Sequence, residues 1–167
     1  PDTRVRLSKW DADDTDIIGK DKSDAREQLE EYRARLETLQ ELLYAEGKHK
    51  LLVVLQAMDT AGKDGLLRKV VGPLDSRGVD VQTFKAPSKE ELAHDYLWRV
   101  HKRTPERGHM TFFNRSYYED VLVVRVMGLQ PREVWERRYR HINEFERMLI
   151  DSGTQVVKLY LHISRQE

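Results

Sequence analysis

Leu51-Leu52-Val53-Val54-Leu55-Gln56-Ala57-Met58-Asp59-Thr60-Ala61-Gly62-Lys63-Asp64-Gly65 decides the fold. An apolar, β-branched run stops at a loop of small residues, the loop ends in Gly-Lys, and a helical pattern follows. The order is strand, phosphate-binding loop, helix. Backbone N–H groups of such a loop and the first turn of the helix can hold phosphate oxygens, and the lysine adds a point charge. The stretch departs from G-x-x-x-x-G-K-[ST] at two places: Ala57 replaces the first glycine, and Asp64 replaces the Ser/Thr that would meet Mg²⁺. Asp59 adds to the phosphate reading. A carboxylate set against phosphates repels them unless a cation lies between, so Asp59 is either a surface turn residue or one that positions Mg²⁺. On the loop alone, an ordinary strand-turn-helix with an exposed lysine is the alternative.

The composition narrows the class. At 167 residues the chain suits one domain with a real core. With 35% charged residues, long solvated helices are expected. The absence of cysteine excludes disulfides, Fe–S clusters and thiolate zinc sites. No apolar stretch approaches the roughly 20 residues of a membrane span, and no apolar leader opens the sequence, so a cytoplasmic protein without a membrane partner is expected. Formal net charge is zero, yet residues 63–109 hold 10 basic against 7 acidic side chains. The bias begins at the loop lysine and suits a polyanionic ligand, though weakly.

Outward from the loop, residues 1–22 are polar and Asp-rich and read as an extended arm. Residues 23–167 read as the core. Ser23 opens an amphipathic helix carrying Leu29, Tyr32, Leu36, Leu39 and Leu43, which Gly47 ends. Lys50–Gln56 is the first strand, Asp64–Val71 the loop helix and Val79–Phe84 the second strand. Ser88 and Glu91 form a capping box for one helix running through Leu92, Tyr96, Leu97 and Trp98. Met110–Phe113 is the third strand. Pro131 starts a long helix ending near Ile150, and Gln155–His162 is the last strand. Strands alternating with helices imply an α/β fold, a mostly parallel sheet covered on both faces. In such sheets ligands sit at the carboxyl ends of the strands, here residues 57–65, 85–88 and 114–119.

Five runs occur in order: Met58-Asp59-Thr60-Ala61-Gly62-Lys63-Asp64-Gly65, Phe84-Lys85-Ala86-Pro87-Ser88, Leu97-Trp98-Arg99, Pro105-Glu106-Arg107-Gly108 and Phe113-Asn114-Arg115-Ser116-Tyr117-Tyr118-Glu119. Together they resemble the family-2 polyphosphate kinases, from about Lys9 to the end of the chain. The Asn-Arg-Ser-Tyr-Tyr-Glu form resembles the subgroup that accepts nucleoside mono- as well as diphosphates. The resemblance implies a P-loop kinase-like three-layer α/β/α fold. It also implies transfer of a terminal phosphoryl group from inorganic polyphosphate to ADP, or AMP, with Mg²⁺ or Mn²⁺ in its place. The reverse reaction would lengthen polyphosphate. Guanine nucleotides are a further acceptor option, and a homo-oligomer, dimer or tetramer, is expected. Family members continue past the last strand with a basic lid and further helices. The sequence stops at Glu167 and is therefore expected to be a core truncated before the lid.

Phosphoryl transfer needs in-line positioning and charge neutralisation. A phosphate acceptor is already ionised, so no general base is required. Lys63 would bridge donor and acceptor phosphates, Asp59 would hold the metal or orient the acceptor, and Lys85 would reach the transferring group. Arg115 and Arg99 can each fork onto phosphate oxygens, although Arg99 could instead pair with a helix carboxylate. Thr60, Ala61, Gly62 and Gly65 supply the loop backbone. Asp64 either caps the helix or touches the metal. Asn114 and Glu119 either contact the metal or brace Arg115. Arg68, Lys69, Lys89, Lys102, Arg103 and Arg107 could line a polyphosphate channel, each singly being as readily a solvated charge. Tyr117 and Tyr118 could stack on a base, with core packing the better alternative. Arg137-Arg138-Tyr139-Arg140 is interleaved with Glu133, Glu136 and Glu144 and reads as a solvated face rather than a nucleic-acid patch. Two other functions stay open: an ATP-dependent nucleoside monophosphate kinase, and a phosphate-binding module without turnover.

Overall fold

Four consecutive side chains, Leu52, Val53, Val54 and Leu55, are buried in strand β1 (Lys50–Ala57). Burial on both faces of one strand requires a layer on each side, and the computed structural model, which describes residues 5–12, 22–58 and 60–164, has that arrangement. The elements that precede and follow β1 are α1 (Lys22–Glu46), α2 (Lys63–Val70), β2 (Val79–Thr83), α3 (Lys89–Leu92), α4 (Trp98–His101), β3 (Met110–Asn114), α5 (Glu119–Val126), α6 (Arg132–Asp151) and β4 (Thr154–Leu161). The strands form one sheet in the order β2-β3-β1-β4, and every pairing is parallel.

Alternation along β1 separates two cores. Val53 and Leu55 pack with Phe112, Leu67, Val71 and Leu74, covered by Leu36 and Leu43 of α1. Leu52 and Val54 pack with Phe113, Tyr117, Val121, Ile142, Phe145 and Leu149 on the face of α4, α5 and α6. Each such burial contributes about 1.5–3 kcal/mol, which outweighs any local preference of these short strands.

Strand and helix ends differ from the sequence expectation by a residue or so, with two larger differences. The helix expected across Leu92–Trp98 is two single turns. The Ser88–Glu91 capping box is present, but Asp95 Oδ1 accepts from the N–H groups of Leu97 (2.9 Å) and Trp98 (3.1 Å), and this local turn restarts the helix. Helix α5 has no counterpart in the sequence reading. Four of its eight residues are valine, which lowers helix propensity, and its place is fixed by packing against α6. Pro131 stands just outside α6, as its N-cap. The arm expected over residues 1–22 lies mostly outside the described residues. Within them Leu7–Lys9 form one 3₁₀ turn, and Trp10 O lies 3.2 Å from His162 Nε2. No helix among the described residues is long and apolar enough to cross a membrane.

Candidate active site

Because β2, β3 and β1 are adjacent and parallel, the loops at their carboxyl ends open side by side. A cleft of about 380 Å³ lies there, lined by Thr60, Ala61, Gly62, Lys63, Asp64, Gly65, Thr83, Phe84, Lys85, Asn114 and Arg115. All three sequence segments singled out for phosphate chemistry meet in this cleft.

Left-handed conformations at Thr60 (φ 67°) and Gly62 (φ 77°) flank Ala61 and curl the loop. Curls of this kind turn successive N–H groups toward one point and make an anion-binding concavity, to which the first turn of α2 adds its own donors. Gly62 is the N-cap of α2, where glycine alone takes positive φ without steric cost. Lys63 is buried, and its Nζ donates to the carbonyls of Met58 (2.8 Å) and Ala57 (3.2 Å). The ammonium thus rests on its own loop. Asp64 Oδ1 accepts from Asn114 Nδ2 (2.8 Å), tying α2 to the end of β3, and Asn114 Oδ1 is buried with no hydrogen-bond partner among the described residues.

The second loop is held from a distance. Arg99, 7% exposed, donates from Nη1 to Lys85 O (2.8 Å). Its guanidinium also faces Asp120 Oδ2 (3.4 Å) and Glu91 Oε2 (3.7 Å). Arg138 donates to Asp120 O (2.6 Å). Burial pushes the Asp120 carboxyl above its ordinary range, and the guanidinium groups of Arg99 and Arg138 oppose that rise. Arg99 is therefore committed to the backbone of Lys85 and to carboxylates and does not line the cleft, contrary to its expected phosphate contact. The alternative, pairing with a helix carboxylate, is what the structure contains.

The third loop turns sharply at Arg115, whose φ is 63° and whose N–H donates to Leu55 O (3.1 Å). Ser116 is fully buried, with its Oγ 2.8 Å from the Gln56 amide. With that amide turned to satisfy both its ends, Gln56 donates to Glu119 Oε1 (3.1 Å) and accepts from Ser116. Glu119 thus meets the floor of β1 and is not among the cleft-lining residues. Tyr117 is fully buried in the core.

The proposed channel residues do not converge. Arg107 precedes Gly108, whose N–H bonds His49 O just before β1, so it sits at the amino ends of the strands, opposite the cleft. Lys102 lies over the Trp98 ring at 3.2 Å, and Arg103 follows it on the turn after α4. Arg68 and Lys69 are exposed on α2, and Lys89 is exposed at the start of α3. None of the six lines the cleft. Asp59 lies outside the described residues. On α6, Arg137 and Arg140 pair within the helix while Arg138 turns inward to Asp120, which removes the basic run as a continuous patch. Sequence reasoning missed Glu146, a buried carboxylate on α6 hydrogen-bonded to both Tyr117 and Tyr118. Its one signal was a charge falling on the apolar stripe of Ile142, Phe145 and Leu149.

Known proteins share this sequence pattern and this fold. Residues 19–167 match the family model for polyphosphate kinase 2. An AMP/ADP-polyphosphate phosphotransferase from Meiothermus ruber is 56% identical over the whole of this chain, which covers 62% of that protein. An ADP-polyphosphate phosphotransferase from Rhodopseudomonas palustris is 43% identical, with 98% of this chain and 61% of the relative aligned. The crystal structure of polyphosphate kinase 2 from Arthrobacter aurescens TC1 superposes with a TM-score of 0.93 at 45% identity, over 97% of this chain and 59% of that one. The chain thus spans about three-fifths of the length of these relatives. Since the matched span takes in the loop at Lys63, the loop at Lys85 and the turn at Arg115 alike, the chain belongs to the polyphosphate kinase 2 family.

Proposed function

We propose that this chain carries the phosphate site of a polyphosphate-dependent nucleotide kinase, moving a terminal phosphoryl group from inorganic polyphosphate to ADP or AMP. One observation carries it: Lys63, Lys85 and Arg115, from three separate loops, line one cleft beside the curled backbone of residues 60–65. Cations that converge on one point neutralise charge at the reacting phosphates, which is most of what phosphoryl transfer asks of a protein. Lys63 would leave its loop carbonyls for the donor and acceptor phosphates, and Arg115 would fork onto equatorial oxygens. The phosphate acceptor is already ionised, so the transfer needs no general base from the protein.

Family membership implies a divalent metal, and Mg²⁺ is our choice, with Mn²⁺ able to replace it. The donors present fit a hard cation: Asp64 and Asn114 Oδ1, which has no partner among the described residues, offer oxygens, and the sequence adds the Asp59 carboxylate. Mg²⁺ in such sites takes one or two protein oxygens and the rest from phosphates and water, so the absence of a three-ligand cluster among the described residues is no obstacle. The ion would neutralise phosphate charge. The same reading includes a cytoplasmic homo-oligomer, an arm over residues 1–22 ahead of the core, and guanine nucleotides as secondary acceptors.

The test is ATP formation from ADP, long-chain polyphosphate and Mg²⁺. It is run on this chain and on the chain extended with the carboxyl-terminal segment of the Meiothermus ruber relative. ATP from either supports the kinase. Phosphorylation of AMP by ATP, with none from polyphosphate, would replace it with an ordinary nucleotide kinase. Phosphate binding without transfer in both forms would leave a binding module.

A further inference from the structure

The turn that aims Arg115 is held from beneath. A non-glycine residue in the left-handed region costs of order 1–3 kcal/mol and persists only where its surroundings over-determine it. Three anchors surround this one. Arg115 N–H bonds Leu55 O, and the buried Ser116 meets Gln56. The two following residues, Tyr117 and Tyr118, both donate their phenol protons to a single atom, Glu146 Oε1, at 2.8 and 2.7 Å. The other carboxylate oxygen, Oε2, accepts from Lys158 Nζ at 2.7 Å, and Lys158 also reaches Tyr118 Oη at 3.2 Å.

Glu146 is 7% exposed and sits on α6 among Ile142, Phe145 and Leu149, where an apolar residue would pack without a desolvation cost. A carboxylate in that place weakens the core unless each of its oxygens is bonded, as both are here. Two consecutive side chains converging on one oxygen fix the backbone that joins them, and only Ser116, itself buried and bonded to Gln56, separates that backbone from Arg115.

We propose that Glu146 is a positioning residue of the phosphate site: its carboxylate holds Tyr117 and Tyr118, and through them the left-handed turn that points Arg115 into the cleft. The proposal rests on the phosphate reading of the cleft for its ligand-binding test, and on geometry alone for its second readout.

Binding of inorganic tripolyphosphate is measured by calorimetry for the unaltered chain, Glu146→Leu, Glu146→Gln and Arg115→Ala. The combinations of each Glu146 variant with Arg115→Ala are measured beside them. Glu146→Leu should weaken binding about fivefold when Arg115 is present and less than about twofold when it is absent, because contacting residues couple and independent ones add. Glu146→Gln keeps an acceptor for both phenols and gives up the charge and the bond from Lys158, which the turn does not rest on, so it should stay within about twofold throughout. Equal losses with and without Arg115, or Gln as damaging as Leu, would overturn the proposal.

Hydrogen exchange of the Arg115 amide, bonded to Leu55 O, is followed without ligand. It should speed up in Glu146→Leu and not in Glu146→Gln. An unchanged rate in Glu146→Leu would also overturn the proposal. Failure of the unaltered chain to bind tripolyphosphate would sink the phosphate reading instead, leaving the exchange measurement to decide on Glu146. Should Glu146→Leu fail to fold, Tyr118→Phe removes one of the two phenol bonds. It should show faster exchange at Arg115 and a smaller loss of affinity, and no change in either would count against the proposal.

Discussion

The loop at Lys63 and the loops at Lys85 and Arg115 line the same cleft but are built in opposite ways. The first holds itself: Lys63 rests on the carbonyls of Met58 and Ala57, a few residues back. The other two are held by charged side chains from remote elements. Arg99 on α4 grips Lys85 O and faces Asp120 on α5. Glu146 on α6 grips the tyrosines after Arg115. The site therefore has one half encoded by local sequence and one half assembled only when the helical layer docks. Disturbing the first should cost chemistry with little stability, and disturbing the second should cost stability first.

The largest effect should follow from Arg99→Met. It leaves the half-buried Asp120 carboxylate to Arg138 alone and frees the Lys85 carbonyl, and losing charge-assisted bonds of this kind costs about 3 kcal/mol. Urea unfolding checks it. A change below about 1 kcal/mol would mean the Lys85 loop stands by itself like the first. Lys63→Ala should come next in size and differ in kind. Transfer should fall roughly a hundredfold, since charge is removed from the transition state, while the urea midpoint barely moves. A loss below about tenfold would take Lys63 off the list of reacting groups.

Gly62→Ala probes the local half for strain. A Cβ there meets nothing within 4 Å, so the cost is conformational alone. It should be about 1–2 kcal/mol, the usual penalty for a left-handed L-residue, seen as a lower Tm. The smallest effect should come from Tyr118→Phe at alkaline pH. Burial first, then the bond to Glu146, lift the Tyr118 phenol from 10.0 to about 12. The folded chain holds that proton more tightly than the unfolded one. The stability this contributes is complete below pH 10 and is lost as pH climbs to about 12. Tyr118→Phe should flatten that part of the stability curve, and an unchanged alkaline limb would show that the phenol is not held by the fold.

What could be read from the sequence follows the same division. The run of sequence from Leu51 to Gly65 is contiguous, and its strand, glycines and lysine announce themselves by spacing. The parallel sheet and the carboxyl-end site follow from the alternation of strands with helices. The roles of Arg99 and Glu146 do not, because an arginine that grips a carbonyl and one that grips a phosphate look alike until the helices are placed. Arg107 was misplaced for a related reason: a motif carries no information on which end of a strand it meets. Helix α5 was missed because the valines of its Glu119–Val126 run speak for a strand, and only docking on α6 overrules them.

The strand order has a metric consequence. Neighbouring strands lie about 4.8 Å apart, and β2 and β1 are separated by β3 alone. The outer two cationic loops therefore stand roughly 10 Å apart, with Arg115 midway between them. The flexible stems of Lys63 and Lys85 can close that gap onto one phosphate group or spread along a chain of several. The sheet thus sets the spacing of the loop backbones, while the reach of the side chains sets how closely their charges meet.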